Sequence, residues 1–427
     1  MIPVVREEPY SFYPPQRSAV GYHVLRRLVP TTLRRTYGIE HVEVRNMAGF
    51  QASVDAGHGV LLAPNHPRAC DPFTVGMISC YSRVPFYFMA SWYLFRESWF
   101  KRFLVRNLGG FSIYRETNDR PAMTAAIDIL ATARRPLVVF PEGTISRAND
   151  RLMDMMDGVV FLARAAAKRR AKEGTGKVVI HPVATKYVFQ GDLQRDLGPV
   201  LDEFEARFSW QPQRHLPLVD RVVKLLEAQV TLREMEYLGG VTEGCVYDRI
   251  ARLIESMLGP LEQDWIGGPA SGQSVIARCK RLRSEILPDL IAGSVDAEER
   301  RRRWQHLTQV YYAQQISLYP ENYLGDGRIP ERLVETVEGF DEDLNDAIRK
   351  HGSWRAIVQV GDPIEVDPGR RPRNGDDPYY RQMVDQIQGI LRLLSTEVNA
   401  ARGLATEETD LGLAVSPLAA AQPQGVR

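Results

Sequence analysis

Long apolar runs are missing from this chain of 427 residues. The longest, Val84 to Phe95, holds 12 residues, whereas a helix that spans a bilayer needs about 20. No transmembrane helix is expected, and any contact with a membrane is expected to be peripheral. Cysteine is also scarce. Cys70, Cys80, Cys245 and Cys279 stand far apart and form no CxxC pair. That excludes a disulfide scaffold and points to free thiols in a reducing, cytoplasmic compartment. Arg6, Glu7 and Glu8 interrupt any apolar leader. The 8 histidines fall at no HxxH or HxxxH spacing, so no metal site is expected. An excess of one charge is lacking too, since 54 Lys+Arg against 53 Asp+Glu leave +1.

The balance hides an asymmetry. Residues 1–200 carry 27 basic and 17 acidic side chains (+10), and residues 201–427 carry 27 and 36 (−9). Two readings stay open: an anionic partner for the first part, or two subdomains that complement each other. No nucleic-acid partner is expected. The run EERRRRW at 298–304 reads as a solvated helix face.

Residues 1–40 read as an irregular arm and a basic amphipathic helix. Val20, Val24, Leu25, Leu28 and Leu33 recur at helical spacing, the pairs Arg26/Arg27 and Arg34/Arg35 crowd the other face, and Pro30 bends or splits the helix. Such a helix suits an anionic membrane surface, or simple packing on its own domain. Residues 41–199 alternate. Strands are expected at 41–44, 59–64, 86–90, 111–114, 136–140 and 178–185, with helices at 72–82, 91–107, 121–134 and 152–172. That rhythm predicts an α/β layer fold. Residues 200–350 are dominated by helical periodicity, as in 246–262, where Val246, Ile250, Leu253, Ile254, Met257 and Leu261 share a face. Residues 351–402 return to a strand at 354–366 and an amphipathic helix at 378–401, and 403–427 read as a disordered tail rich in Ala, Pro and Gln. No internal repeat stands out.

Three segments carry candidate chemistry. In APNHPRACDPF at 63–73 a buried strand ends, His66 follows, and Asp71 stands five residues later. Strand ends in α/β proteins project side chains into a shared crevice. A histidine acting as general base needs a carboxylate to fix its tautomer and stabilise the imidazolium. Asp71 also precedes Pro72 and so reads as a helix N-cap, a role compatible with facing His66. In FPEGTISR at 140–147 a second buried strand ends in a turn with Glu142, Gly143 and Thr144. In GGFSIYR at 109–115 a glycine pair leads a strand that ends in Arg115, which suits either phosphate recognition or a surface ion pair. Trp92, Phe95, Trp99 and Phe103 form an aromatic stripe beside Arg96, Lys101 and Arg102. It suits core packing, or a helix that dips into a membrane or lines an acyl chain.

In this order and spacing the segments resemble the phospholipid/glycerol acyltransferase family, which includes the lysophosphatidate acyltransferases. NHPRACD resembles its NHx4D block, GGFSIYR its second block, FPEGTIS its third, and VVIHPVA at 178–184, with Pro182, its fourth. VQVGDPIEV at 358–366 resembles the strand that follows. The resemblance implies a mixed β-sheet flanked by helices, here with a large, mainly helical insertion.

It further implies acyl transfer from a thioester, on coenzyme A or acyl carrier protein, to the hydroxyl of a lysophospholipid bound at the membrane. The acceptor first in line is 1-acyl-sn-glycerol 3-phosphate, which would give phosphatidate. The acyl donor is a co-substrate, and no cofactor is implied. His66 and Asp71 would be catalytic. Asn65, Arg68, Gly109, Arg115, Glu142, Gly143, Thr144 and Arg147 would bind substrate. Two positions depart from the family pattern. Ile145 stands where arginine is common, and Asp157 where lysine is common. Both remove positive charge near the presumed head-group site. A different lysolipid or lipid alcohol as acceptor therefore stays open, as do thioester hydrolysis and a non-catalytic lipid- or carrier-binding protein.

Overall fold

The computed structural model describes residues 6–16, 20–116, 119–270, 272–345, 349–369 and 377–404. The expected tail lies outside them from residue 405 onward. The described chain divides into two compact units. One bears the sheet and holds residues 10–190 and 352–404; the other is helical and holds residues 6–9 and 191–351.

In chain order the elements begin with α1 (Val20–Leu25), a 3-10 turn (Arg26–Leu28), α2 (Val29–Tyr37), β1 (Ile39–Arg45), α3 (Ala48–Asp55), β2 (Gly59–Pro64) and α4 (Asp71–Ser82). Next come β3 (Tyr87–Ser91), α5 (Trp92–Glu97), α6 (Trp99–Asn107), β4 (Gly110–Ile113), α7 (Arg120–Thr132), β5 (Leu137–Val138), α8 (Gly158–Glu173) and β6 (Val178–Phe189). The helical unit supplies α9 (Leu193–Arg207), α10 (Leu218–Tyr237), α11 (Val246–Ile266), α12 (Val275–Ala292), α13 (Ala297–Ile316) and α14 (Pro330–Asn345). The chain then returns with β7 (Trp354–Val360), β8 (Ile364–Val366) and α15 (Pro378–Ala401).

The strands form one mixed sheet of 8 in the order β1-β7-β6-β2-β5-β3-β4, with β8 also on β6. β6, β2, β5, β3 and β4 run parallel, and β7 and β8 run antiparallel to β6. β6 is long enough to pair with β8 through Val178–Ile180 and with β7 through Val183–Phe189 along the same edge. The two-residue period of a strand sends alternate side chains to opposite faces. Ile180, Ala184 and Val188 join Leu130 of α7, Leu162 of α8 and Leu391 of α15 in one core. Thr185 and Tyr187 face the other way, where α4 packs on β1, β6 and β7.

Several elements differ from the sequence reading. The helix expected over 91–107 splits at Ser98, whose backbone is extended and whose Oγ accepts from Lys101 N to start α6. The aromatic stripe splits with it. Trp92 and Phe95 are core residues, whereas Trp99, Phe100 and Phe103 are exposed. The strand expected over 136–140 is paired as a strand only at Leu137–Val138, because Pro141 lacks an N–H and turns the chain. The strand expected over 178–185 runs on to Phe189, with Lys186 buried beside its ion-pair partner Asp150. Pro30 sits in the first turn of α2, after the 3-10 turn, and so splits the first helix. Arg303, expected to be solvated, is buried and donates to Ile286 O and Asp289.

The helical unit contains a repeat that the sequence reading missed. Glu205, near the end of α9, accepts from Gln213 N at 2.8 Å and from Arg221 Nε at 2.8 Å. Glu234 of α10 accepts from Thr242 Oγ1 at 2.5 Å and Arg249 Nη2 at 2.6 Å. Glu262 of α11 accepts from Ala270 N at 3.4 Å and Arg278 Nε at 2.7 Å. Each loop partner lies 8 residues beyond its glutamate, and each arginine 15 or 16 beyond. Three successive helix joints are thus closed by the same buried clamp. A carboxylate stripped of water needs such partners.

Candidate active site

Because β2, β5, β3 and β4 are parallel, their C-terminal ends share one side of the sheet. That is where α/β folds place their ligands. All of β2 is buried. It ends at Pro64, and the Asn65 side chain extends the pairing to β6: Asn65 Nδ2 donates to Thr185 O at 3.1 Å, and Thr185 N donates to Asn65 Oδ1 at 2.7 Å. Asn65 therefore anchors the loop that carries His66.

The main chain of His66 is fixed on both sides. Its N–H donates to Glu142 Oε1 at 2.5 Å, and its carbonyl accepts from Ser146 N at 2.8 Å. Its ring stacks on Phe140 at 4.2 Å. Nδ1 lies 2.8 Å from Asp71 Oδ2. A carboxylate at Nδ1 assigns the proton there and leaves the Nε2 lone pair as the base. The His66 side chain is 15% exposed and that of Asp71 0%, so a substrate can reach the imidazole while its partner stays dry.

Asp71 is not the N-cap expected from the sequence. Cys70 takes that position, and Asp71 is the first residue of α4, with Pro72 behind it. Its carboxylate is free of capping duty and serves the site instead. Oδ2 accepts from His66 and from Arg68 N at 2.8 Å, and Oδ1 accepts from Tyr187 Oη. Cys70 is buried, and that burial pushes its thiol up to about 12. It is therefore a poor nucleophile.

The third segment closes over the first. Glu142 is 1% exposed and accepts from Met153 N at 3.2 Å as well as from His66. Burial pushes its carboxyl up to about 8; the two backbone N–H groups oppose the shift, and the charge of Asp71 adds to it. Glu142 thus braces the His66 loop from beneath rather than standing at its mouth. Gly143 has φ 68°, and a Cβ there would run into Met156. Arg115, at the end of β4, donates from Nη1 to Gly143 O at 2.7 Å, which joins the second and third segments. Thr144, Ile145 and Arg147 are half-buried beside them, Arg147 with φ 56°. Gly109 has φ 96°, and a Cβ would meet the Phe86 carbonyl. The Arg68 guanidinium lies 3.7 Å from the Trp354 ring and 5.3 Å from the Tyr187 ring, toward β6 and β7 rather than toward Arg115.

The sequence reading missed Tyr187, Asn149 and Trp354. Asn149 pairs with the Tyr187 main chain in both directions at 2.7 Å. The available signal was the alternation in VVIHPVATKYVF, which puts Tyr187 on the same face as Thr185.

Residues 40–186 match the protein-family model described as Acyltransferase, the phospholipid/glycerol acyltransferase family. This segment is an acyltransferase domain. Its match spans β1 to β6, and with them His66, Asp71, Arg115 and Glu142. The match stops one residue short of Tyr187 and reaches neither β7 and β8, which complete the same sheet, nor α15, which packs on β6. No curated protein matches the chain significantly.

Proposed function

We propose that the acyltransferase domain moves a fatty acyl group from a thioester of coenzyme A or acyl carrier protein to the hydroxyl of a lysophospholipid. 1-Acyl-sn-glycerol 3-phosphate is the first acceptor. The observation that carries this reading is the His66 Nδ1–Asp71 Oδ2 pair at 2.8 Å, with the imidazole partly open and its carboxylate fully buried. Nε2 takes the proton of the acceptor hydroxyl as its oxygen attacks the thioester carbonyl. The C–S bond breaks as the tetrahedral intermediate collapses, and the thiolate leaves with that proton. General-base assistance of this kind is worth about 10²–10⁴ in rate.

Among the described residues no helix is long and apolar enough to cross a membrane. Peripheral attachment fits a surface made by α1 and α6, which pack so closely at Gly21 that a Cβ would meet Asn107. Val20, Val24 and Leu28 on one side and Trp99, Phe100 and Phe103 on the other are all more than half exposed. Arg26 and Arg27 stand on the 3-10 turn that follows α1, and Lys101 and Arg102 on α6. Apolar side chains among cations suit an anionic lipid surface.

A second acceptor, a lysolipid or lipid alcohol without a phosphate monoester, is favoured by Ile145 and by the placement of the cations. Arg115 is turned to the Gly143 carbonyl and Arg68 to Trp354. The test is product analysis by mass spectrometry. Wild type and His66→Ala receive long-chain acyl-CoA or acyl carrier protein with a panel of lipid acceptors. Phosphatidate made by wild type and lost in the variant supports the first acceptor. His66-dependent acylation of another lipid selects the second, and the absence of any His66-dependent product overturns the reading.

A further inference from the structure

Asp71 must keep one carboxylate oxygen on His66 Nδ1 while carrying a charge in a site with no solvent access. The loop itself supplies two donors, His66 Nδ1 and Arg68 N, and both go to Oδ2. Oδ1 is served from elsewhere, by Tyr187 Oη on β6. The phenol is completely buried and also lies 3.0 Å from Thr74 Oγ1 and 3.4 Å from Cys70 Sγ. Its main chain is clamped by Asn149, so the ring has a fixed origin as well as a fixed end.

We infer that Tyr187 is a positioning residue for acyl transfer, the third member of a His66–Asp71–Tyr187 chain, and that it acts by holding the Asp71 carboxylate ionised and in register with His66 Nδ1. The inference rests on the His66 general-base reading above. A buried carboxylate with donors to one oxygen only is free to rotate about its Cβ–Cγ bond or to take up a proton, and either change releases Nδ1. A hydroxyl on the second oxygen prevents both. It also shares the negative charge of the carboxylate. The groups facing Asp71 are His66, Arg68 and Cys70 of its own loop, Tyr187 of β6 and Glu142 of the turn after β5. Tyr187 donates to Oδ1 from a strand, where packing on both sides limits its movement.

Tyr187→Phe removes the hydroxyl and keeps the ring beneath Arg68. The deprotonated dyad then loses a stabilising donor, so its affinity for a proton rises. We expect the acid limb of the kcat/KM profile to move to higher pH by about one unit, and kcat to fall roughly 10- to 100-fold with KM nearly unchanged. In an Asp71→Asn background the same substitution should cost less than about threefold, because the hydroxyl acts through the charge it no longer meets. Equal losses in both backgrounds, or a lower melting temperature with an unmoved pH profile, overturn the inference.

A second readout needs no turnover. The His66 imidazole resonances, assigned by their absence in His66→Ala, are titrated in wild type and Tyr187→Phe. A raised titration midpoint in Tyr187→Phe supports the positioning role even where no acceptor is turned over, a result that would sink the acyl-transfer reading alone. An unmoved midpoint overturns the positioning role even if the enzyme is active.

Discussion

Consider replacing Glu142 by glutamine. The carboxyl is 1% exposed and accepts from His66 N at 2.5 Å and Met153 N at 3.2 Å. Burial pushes it from its ordinary 4.5 up to about 8. A group whose folded-state pKa is raised holds a proton that the unfolded chain has released. Its contribution to stability is therefore complete below about 4.5 and is lost progressively as pH rises to about 8. At about 1.4 kcal/mol per unit the whole window is worth about 5 kcal/mol. Glutamine has no such proton to lose. Its amide oxygen can keep the His66 contact, but its NH2 group then faces the Met153 N–H and leaves a buried donor unsatisfied, at a cost of about 1–3 kcal/mol. Glu142→Gln should thus be less stable than wild type near pH 5, and the order should reverse near pH 8. Urea melts across that range check this, followed by hydrogen exchange in the peptides of β2 and β6 so that only the sheet-bearing unit is read. A gap between the two proteins that stays constant from about pH 5 to 8 would refute the proton held at Glu142.

Three further outcomes follow from features away from His66. In the helical unit, burial raises the Glu234 carboxyl, but donation from Arg249 and Thr242 more than offsets it, and the net shift is downward. Asp341 is lowered in the same way by His351 and Arg349 against its burial. Depressed acids stabilise above their unfolded values, 4.5 and 3.8 here, and that stability is lost as pH falls through the folded values. These clamps should weaken in acid, the opposite slope to Glu142. Arg249→Met should cost about 3–5 kcal/mol by stranding Glu234, with much of it regained in the double variant that also carries Glu234→Leu; chemical denaturation of the single and double variants checks both. On the α1–α6 surface, Trp99→Ser, Phe100→Ser and Phe103→Ser together should lower binding to anionic vesicles at least tenfold in a flotation assay. Burying even one such side chain is worth about 1.5–3 kcal/mol. Unchanged flotation would remove that surface from the membrane.

The sheet-bearing unit was largely legible because its signals are local. GVLLAP is a run of buried residues between turn formers, and it became β2 without a shift in boundary. The amphipathic period over 378–401 became α15 in the same way. The pairing of His66 with Asp71 followed from a five-residue spacing that a loop into a helix satisfies. What stayed hidden depends on partners far along the chain. The strand expected over 178–185 stops short of Lys186, whose burial depends on Asp150, 36 residues away. Tyr187 meets Asp71 across 116 residues, and no local pattern marks such a contact. The clamps of the helical unit escaped for another reason. They repeat one glutamate and one arginine at intervals near 28 residues, in helices already rich in both.

The route between β6 and β7 has a consequence for how this protein can change over time. Phe189 pairs with Trp354, and Gln190 N donates to Ser353 O at 2.9 Å. To the sheet, these two strands are an ordinary antiparallel hairpin, and the whole of residues 191–352 is its turn. The entropy of closing such a turn grows only with the logarithm of its length, at about 0.6 kcal/mol per doubling. Lineages are therefore free to lengthen, shorten or exchange that segment at little energetic penalty to the register beneath it. Tyr187 stands three residues before the point of departure, so such rearrangements carry no obligation to rebuild the end of the strand that steadies Asp71.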